Sequence, residues 1–304
     1  MELSKRTSLG YFFALFTVAV WGTTFIASKQ LLTVYTPARI MLMRFVLAYI
    51  ALWMIRPRLL KLPWRSEMRF AALGLAGCSL YFLTENTALL HTTAANVSII
   101  VSAAPIFTAI LAHFTIDEKF HRNTLFGFLV AFSGVVLVVC NGAFVLHLSP
   151  AGDLLALLAA CCWAVYSVLL RRASGELDPI LVTRRTMLWG LVTAIPMAVP
   201  GGAFSLAPLA SPLLVFDLLF LGLIGSALCY VLWAKAFALL GVVPTNNCIY
   251  LIPFVTIVAA HFTLKEPVTW AAILGAGLIT AGVVLAQRRK ANDAAPREEF
   301  SKEA

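Results

Sequence analysis

The stretch AHFTIDE at residues 112–118 recurs as AHFTLKE at residues 260–266, an offset of 148 positions. The same offset aligns residues 73–137 with residues 221–285 without a gap. Further matches are Pro105 with Pro253, Gly127 with Gly275, Gly134 with Gly282 and, at an offset of 142 nearer the start of each half, Trp21 with Trp163. Chance agreement between apolar letters is common, but matched Pro, His, Glu, Gly and Trp are not. The chain is therefore an internal repeat of two halves.

Each half contains five apolar stretches of the length that crosses a lipid bilayer. A bilayer core of about 30 Å needs roughly 20 helical residues. The predicted spans are residues 10–32, 38–55, 70–90, 95–114, 123–140, 153–171, 180–199, 212–240, 243–264 and 268–287. We predict an all-α polytopic membrane protein with ten transmembrane helices. Because five is odd, the second half enters the membrane upside down, which gives two inverted five-helix repeats.

Composition and charge agree with this architecture. Of the 304 residues 61% are hydrophobic and only 12% are charged, about half the charged share of a soluble domain. This excludes a soluble fold, a disordered chain, a secreted disulfide scaffold and a nucleic-acid-binding domain. The partner that the composition requires is the lipid bilayer, and no nucleic-acid partner is needed to explain the net charge of +9.

The basic residues instead indicate the topology. With the N-terminus inside, 16 of the 23 Lys and Arg residues fall in inner segments. The positive-inside rule then places both termini in the cytoplasm. The predicted organisation is a cytoplasmic N-terminus (1–9), a first repeat (10–146), a second repeat (147–287) and a disordered cytoplasmic tail (288–304).

Several of these positions together resemble a known family. They are Trp21-Gly22, Arg44-Phe45, Pro105, Glu118, Gly127 and Gly134, with their echoes in the second half. Over about residues 10–287 the chain resembles the ten-helix EamA branch of the drug/metabolite transporter superfamily, and within it the amino acid exporters, including the aromatic amino acid exporter type. The resemblance implies a bacterial inner-membrane protein whose central cavity is lined by spans 1, 3, 4, 6, 8 and 9, with the fifth and tenth helices standing aside.

Charged residues inside the spans need a separate explanation, because a charge in the bilayer is costly unless it is paired or functional. Glu85 lies well inside the third span and Arg44 at a similar depth in the second. One interpretation is a structural Glu85–Arg44 charge pair. Another is that Glu85 faces the cavity and meets a substrate ammonium group or a proton, and a third is a snorkelling side chain. Lys235 in the eighth span is interpreted as snorkelling to the interface, with contact to a carboxylate as the alternative.

Aromatic residues are the main candidates for the cavity wall. They provide apolar, stackable surfaces with a polar tip, which suit amphiphilic metabolites, although any one of them also fits a packing or lipid-facing role. Asn residues at the starts of the fourth and ninth spans are candidates for the cavity mouth. The predicted cavity residues are Trp21, Tyr81, Phe82, Glu85, Asn96, Trp163, Tyr166, Tyr230, Trp233, Asn246 and Tyr250.

Pro105 and Pro253 lie in the middle of the fourth and ninth spans. A proline there removes one backbone hydrogen bond and leaves a carbonyl free. Both a gating hinge and a static kink are compatible with this position. The glycines Gly127 and Gly134, like Gly275 and Gly282, are seven residues apart on one helix face, which predicts close helix packing.

The function that these observations favour is a secondary exporter of small amphiphilic metabolites, amino acids including aromatic and neutral ones, working by alternating access around a central cavity. The sequence contains no G-x-x-x-x-G-K-[ST] motif, so no ATP site is visible. No catalytic residue, metal site or cofactor is predicted, and the protein is expected to be a monomer. Alternatives are a transporter of purines, sugars or quaternary amines, an intramembrane enzyme, or a receptor.

Overall fold

The computed structural model describes residues 2–116, 122–139, 149–173, 177–199 and 205–287. Within these residues the chain forms ten helical rods. The uninterrupted rods are α1 (Glu2–Leu31), α2 (Pro37–Ile55), α5 (Arg122–Val139), α6 (Pro150–Ala173), α7 (Pro179–Ala198) and α10 (Trp270–Gln287). A 3₁₀ turn, Ala207–Ala210, precedes the helix that begins at Pro212.

Four rods change their helical geometry along their length. They are α3 (Trp64–Gly74, Leu75–Leu80 and Tyr81–His91), α4 (Ala94–Val101 and Ala104–Ile116), α8 (Pro212–Leu219, Phe220–Leu228 and Cys229–Leu240) and α9 (Val242–Asn247, Cys248–Leu251 and Ile252–Leu264). The sequence predicted each of these spans as one continuous helix. The third rod also begins six residues before the predicted span, at Trp64.

Among the described residues, six helices are long and apolar enough to cross a membrane. They are Lys5–Leu31, Pro37–Ile55, Ala94–Thr115, Pro150–Ala173, Pro212–Leu240 and Val242–Leu264. The chain is thus an all-helical, multi-pass membrane protein, as the composition indicated. Glu118 and the C-terminal segment 288–304, which the sequence analysis singled out, lie outside the described residues.

The irregular segments of α3 and α8 occur at equivalent places in the repeat. Leu75–Leu80 in α3 and Phe220–Leu228 in α8 are both π-helical. At the offset of 148 the first segment aligns with residues 223–228, which lie inside the second. In a π-helix the backbone bonds reach one residue further than in an α-helix, and such segments concentrate at functional sites. The two halves therefore share the same local distortion as well as the same sequence pattern.

A glycine in each π-helical segment brings the other half close. A Cβ added to Gly77 would collide with the ring of Tyr166 in α6, and one added to Gly225 would lie 3.0 Å from Thr24 Cγ2 in α1. Thr24 and Tyr166 are themselves equivalent at the offset of 142. The same contact is therefore made twice with the halves exchanged, as expected around a local two-fold axis.

The breaks in α4 and α9 also correspond. Ser102 and Ala103 separate the two helices of α4, and the 3₁₀ segment Cys248–Leu251 occupies the equivalent place in α9. Pro105 and Pro253 each lie at the second residue of the helix that follows. A proline in the first turn removes no intrahelical hydrogen bond. The prolines therefore start a new helix after a break rather than bending a continuous one.

The helices α5 and α10 pack against each other through their glycines. The sequence predicted the close packing but not the partner. A Cβ added to Gly134 would lie 2.6 Å from the carbonyl oxygen of Gly275. A Cβ added to Gly282 would overlap the carbonyl oxygen of Gly127 and the backbone of Ala131. These two contacts are equivalent at the offset of 148. The two backbones can touch because glycine has no side chain.

Candidate functional site

A small cavity of about 20 Å³ lies where the two halves meet. Its lining residues are Trp21, Thr24, Phe25, Arg44, Tyr81, Phe82, Glu85, Val101, Ala104, Trp163, Tyr230, Ile249 and Ile252. They come from α1, α2, α3, α4, α6, α8 and α9, and the described residues of α5 and α10 contribute none. The resemblance implied that spans 1, 3, 4, 6, 8 and 9 line the cavity, and all six helices do so. In addition, α2 contributes Arg44.

Most of the wall consists of residues that the repeat makes equivalent. The pairs are Trp21 with Trp163, Phe82 with Tyr230, Val101 with Ile249 and Ala104 with Ile252. Each half therefore supplies the same kind of surface to the cavity.

The aromatic residues form one continuous cluster at the centre of the molecule. The ring of Trp21 lies 5.1 Å from that of Trp163 and 4.9 Å from that of Trp233, and Tyr81 lies 5.2 Å from Trp163, measured between ring centroids. Tyr166 adjoins Trp163 at 5.0 Å. Edge-on and tilted contacts at these separations are favourable for aromatic rings, so the wall is both packed and ordered.

Hydrogen bonds fix the polar tips of these rings. The Trp21 Nε1 donates to the carbonyl oxygen of Gly225 at 2.9 Å, and the Tyr230 hydroxyl donates to that of Gly77 at 2.7 Å. Both acceptors belong to the π-helical segments described above. The distorted backbone of each half therefore anchors an aromatic side chain from the opposite half.

Six of the predicted cavity residues line the cavity, namely Trp21, Tyr81, Phe82, Glu85, Trp163 and Tyr230. Tyr166 and Trp233 belong to the same aromatic cluster but pack behind the wall. Tyr250 is buried without reaching the cavity.

The two predicted asparagines have other roles in the described structure. Asn246 is buried, and its Oδ1 accepts hydrogen bonds from Trp163 Nε1 at 3.1 Å and from Ser167 at 3.2 Å. It therefore supports the wall from behind. Asn96, at the start of α4, donates to Asp153 at 2.6 Å and to Thr92 at 3.0 Å. It connects α4 to α6 away from the cavity.

Six lining residues were not predicted from the sequence, and apart from Phe25 they are small or aliphatic. They are Thr24, Phe25, Val101, Ala104, Ile249 and Ile252. Thr24 and Phe25 lie three and four residues after Trp21, hence on the same helix face. The other four are two repeat pairs at the breaks in α4 and α9. Helical spacing from Trp21 and the repeat offset were therefore the signals that pointed to them.

Arg44 and Glu85 bring two opposite charges to the cavity, with only 1% and 2% of their surfaces exposed. The Arg44 Nε donates to the Ser226 hydroxyl at 2.9 Å, and its guanidinium carbon lies 3.9 Å from the centroid of the Phe82 ring. Tyr81 lies beside the Glu85 carboxylate, and Arg44 acts on that carboxylate electrostatically.

Lys29–Glu266 and Arg185–Glu67 are ion pairs, whereas no ion pair joins Arg44 to Glu85 in the described part of the chain. The predicted pair thus shares one cavity without a direct salt bridge. Lys235 lies away from the cavity, with its Nζ 5.8 Å from the centroid of the Phe13 ring.

Polar contacts join the two halves near the C-terminal end of α1. Lys29 Nζ lies 3.0 Å from Glu266 Oε1, and it also donates to the carbonyl oxygen of Thr92 at 3.0 Å. The Glu266 carboxylate accepts from the backbone N–H groups of Ala94 and Ala95 at 3.0 and 3.2 Å, where the positive end of a helix favours an anion. We call this group of residues, Lys29, Thr92, Ala94, Ala95 and Glu266, the Lys29 latch.

A second set of contacts joins the halves near the start of α3. Glu67 accepts hydrogen bonds from Arg185 Nε and Trp189 Nε1, both at 2.9 Å. Burial raises the pKa of Glu67, but the hydrogen bonds and charge of Arg185 and the hydrogen bond of Trp189 outweigh it, so the pKa lies below its ordinary value. Arg184 donates to the carbonyl oxygens of Arg56 and Arg58. The halves are therefore fastened to each other on both sides of the cavity.

Comparison with known proteins gives a consistent result. The EamA-like transporter family matches the chain twice, over residues 8–140 and 150–287. The "Probable terminal-alkyne amino-acid exporter" of Streptantibioticus cattleyicolor is 30% identical over 298 residues, which cover 95% of each chain. The "Probable amino-acid metabolite efflux pump" of Escherichia coli is 25% identical over 284 residues, 90% of this chain and 92% of that protein.

A solved structure, titled "Crystal structure of protein", shares the fold. Its TM-score is 0.68 at 20% identity, and the alignment covers 93% of this chain and 96% of that one. The family match extends over both halves of the repeat and nearly all of the described helices. The chain therefore belongs to the EamA-like transporter family.

Proposed function

We propose that the protein is a secondary transporter that exports small amphiphilic metabolites, chiefly amino acids including aromatic and neutral ones, by alternating access. The observation that carries this proposal is the cavity where the two halves meet, with repeat-equivalent aromatic walls and one buried cation and anion. Repeat-related halves around a central site are the architecture of transporters that exchange between two openings. The substrate enters and leaves as the halves rearrange.

The same proposal includes the membrane topology. The ten rods are transmembrane helices arranged as two inverted five-helix repeats, and both termini lie in the cytoplasm. The odd number of helices in each half, the distribution of basic residues and the separate family match in each half support this. A bacterial inner membrane is the proposed location, and the proposed working unit is the monomer.

The size of the cavity indicates which stage of the cycle the structure represents. About 20 Å³ accommodates roughly one water molecule, whereas small-molecule pockets occupy roughly 300 Å³ or more. An amino acid therefore fits only after the aromatic side chains move or the two halves separate. We interpret the structure as a closed state without room for substrate.

The chemistry of the wall supports amino acids as the substrate class. Aromatic rings accept an apolar or aromatic side chain, while buried charges suit a polar head group that has left water. Two relatives carry names that refer to amino acids or their metabolites. Purified protein in liposomes is expected to exchange labelled phenylalanine, methionine or threonine for unlabelled amino acid inside, without ATP.

The control for this counterflow experiment is liposomes without protein. Purine, sugar and quaternary amine substrates belong in the same panel. Exchange of one of these classes with no exchange of amino acids would contradict the proposed substrate while leaving the transporter family intact. Repeating the panel at two pH values reports whether proton movement accompanies transport.

The Lys29 latch gives a prediction about the closed state. Replacing Glu266 with Gln removes the charge that binds Lys29 and weakens the hydrogen bonds from Ala94 and Ala95. Charged hydrogen bonds contribute about 1.5–3 kcal/mol each, so the closed state will lose population. A cysteine introduced at Phe25, in a chain freed of its native cysteines, is expected to react several-fold faster with an impermeant maleimide.

The matched control for the latch is Lys265→Gln, which changes an exposed charge next to Glu266. Lys29→Gln is expected to reproduce the effect of Glu266→Gln, and the double variant to add little, because both remove one interaction. Labelling that stays at the wild-type rate in Glu266→Gln would show that these contacts do not hold the cavity closed.

A further inference from the structure

Arg44 has hydrogen-bonding capacity that the protein does not use. Its side chain is 1% exposed and lines the cavity, and within the described structure neither Nη1 nor Nη2 has a hydrogen-bond partner. Leaving buried donors unpaired is unfavourable, and more so for a charged group. The fold alone therefore gives no reason for a guanidinium with two free nitrogens at this position.

The remaining contacts of Arg44 hold it in one orientation. Its Nε is fixed by the Ser226 hydroxyl at 2.9 Å, and the face of its guanidinium lies over the Phe82 ring. The two unpaired nitrogens form the outer edge of the same planar group. A guanidinium edge with two parallel donors matches the two oxygens of a carboxylate. Arg44 is thus anchored by one side, while the buried nitrogens on the side that suits a carboxylate have no hydrogen-bond partner within the described structure.

Glu85 provides the complementary charge in the same cavity. Its carboxylate lies beside Tyr81 and forms no direct ion pair with Arg44 within the described part of the chain. Two opposite charges that share a cavity without neutralising each other fit a ligand that carries both signs. An α-amino acid has its carboxylate and ammonium group on one carbon, with the side chain free to contact the aromatic wall.

The repeat shows that this polar site is specific to the first half. The equivalents of Arg44 and Glu85 in the second half are Thr186 and Trp233. The aromatic and aliphatic walls keep the two-fold relation, whereas both charges come from α2 and α3. A substrate head group would therefore be bound by one half, while its side chain contacts both.

We propose that Arg44 binds the substrate carboxylate through its two unpaired nitrogens while Glu85 receives the ammonium group, so that the site selects zwitterionic amino acids. This rests on the proposed function, since it assigns the residues that recognise that substrate. The first test uses the wild-type protein in liposomes. Unlabelled L-phenylalanine, its methyl ester and 3-phenylpropionate compete with labelled L-phenylalanine in counterflow.

In this competition the methyl ester, which lacks the carboxylate charge, is expected to inhibit about tenfold or more weakly than L-phenylalanine, because charged hydrogen bonds are lost. 3-Phenylpropionate, which lacks the ammonium group, is also expected to inhibit weakly. An ester that inhibits as well as the amino acid would overturn the proposal without any variant. Wild-type protein that exchanges no amino acid would overturn the proposed function itself, which is a distinguishable result.

The second test compares variants by their selectivity, the ratio of inhibition by L-phenylalanine to inhibition by its methyl ester. Arg44→Gln is expected to bring this ratio close to one, and Arg44→Lys to give an intermediate ratio, since an ammonium group keeps the charge but not the planar edge. Lys235→Gln is the matched control, a cation inside a span but away from the cavity, and is expected to keep the wild-type ratio.

Selectivity is the decisive readout because the loss of a merely structural role would lower transport without changing the ratio of inhibition by L-phenylalanine to inhibition by its methyl ester. A wild-type ratio in Arg44→Gln, with transport remaining, would overturn the proposal. If Arg44→Gln does not fold, Arg44→Lys and the wild-type ester competition decide the question. Monodisperse elution in detergent identifies the variants that are folded.

Discussion

Replacing Glu85 with Gln is expected to reduce amino-acid counterflow by about tenfold or more while the protein still folds. Gln has nearly the same shape and retains an acceptor oxygen beside Tyr81, so the packing around the cavity changes little. What is lost is the negative charge that faces a substrate ammonium group, and a charged hydrogen bond contributes about 1.5–3 kcal/mol. Initial rates, normalised to the amount of protein in the liposomes, measure the effect.

The control for Glu85→Gln is Asp153→Asn, an acid at the start of α6 that bonds to Asn96 and does not line the cavity. It is expected to transport at close to the wild-type rate. Wild-type transport by Glu85→Gln would reject a role for this carboxylate in the cavity. Loss of folded protein instead would favour a structural pairing of Glu85 with Arg44.

The second large effect is expected from Gly282→Ala. The new methyl group would overlap the carbonyl oxygen of Gly127 and the backbone of Ala131. Backbone atoms cannot rotate aside as a flexible side chain can, so α5 and α10 must separate. Overpacking of a close interface costs about 1–3 kcal/mol, which lowers the thermal unfolding midpoint in detergent.

Gly277→Ala is the matched control on the same helix. A Cβ at Gly277 meets no atom within 4 Å, and alanine favours the helix over glycine by roughly 0.5–1 kcal/mol. This variant is therefore expected to be as stable as the wild type or slightly more stable. Equal unfolding midpoints for the two variants would contradict the inferred role of Gly282 in the α5–α10 contact.

The helices and their close contacts were largely predictable, because hydrophobic length and a repeated pattern encode them directly. Paired glycines seven residues apart predicted that α5 and α10 pack closely against a neighbour, though not which one, and aromatic residues at equivalent positions predicted much of the wall. These signals depend on side-chain type and spacing alone. They require no knowledge of how the backbone departs from regular geometry.

The local irregularities of the backbone were not predictable in the same way. The π-helical segments around Gly77 and Gly225 follow from the close approach of Tyr166 and Thr24, which are distant in sequence. Pro105 was expected in the middle of one span, as a gating hinge or a static kink, but the first helix of α4 ends before it. In each case tertiary packing determines the geometry, and a single-helix interpretation of the sequence does not include it.

The site itself was predicted in part. Arg44 was considered as a partner for Glu85, and the structure shows it fixed by Ser226 and Phe82 instead. Asn96 was placed at the cavity mouth because polar residues in a membrane need partners, and it has them in Asp153 and Thr92. Polarity indicates that a partner exists, but only the three-dimensional arrangement identifies it.

Several contacts between the halves occur twice, with the roles of the two halves reversed, and this has one more consequence. Each half carries both surfaces of every such contact, so a five-helix half is self-complementary in the manner of a protein that forms a symmetrical dimer. A true dimer would place two copies of each cavity residue at the axis, with two arginines and two glutamates crowded together. Joining the halves in one polypeptide removes that constraint, because one copy keeps Arg44 and Glu85 while the other has Thr186 and Trp233. Fusion thus permits a single, oriented pair of charges at the centre of an otherwise symmetrical molecule.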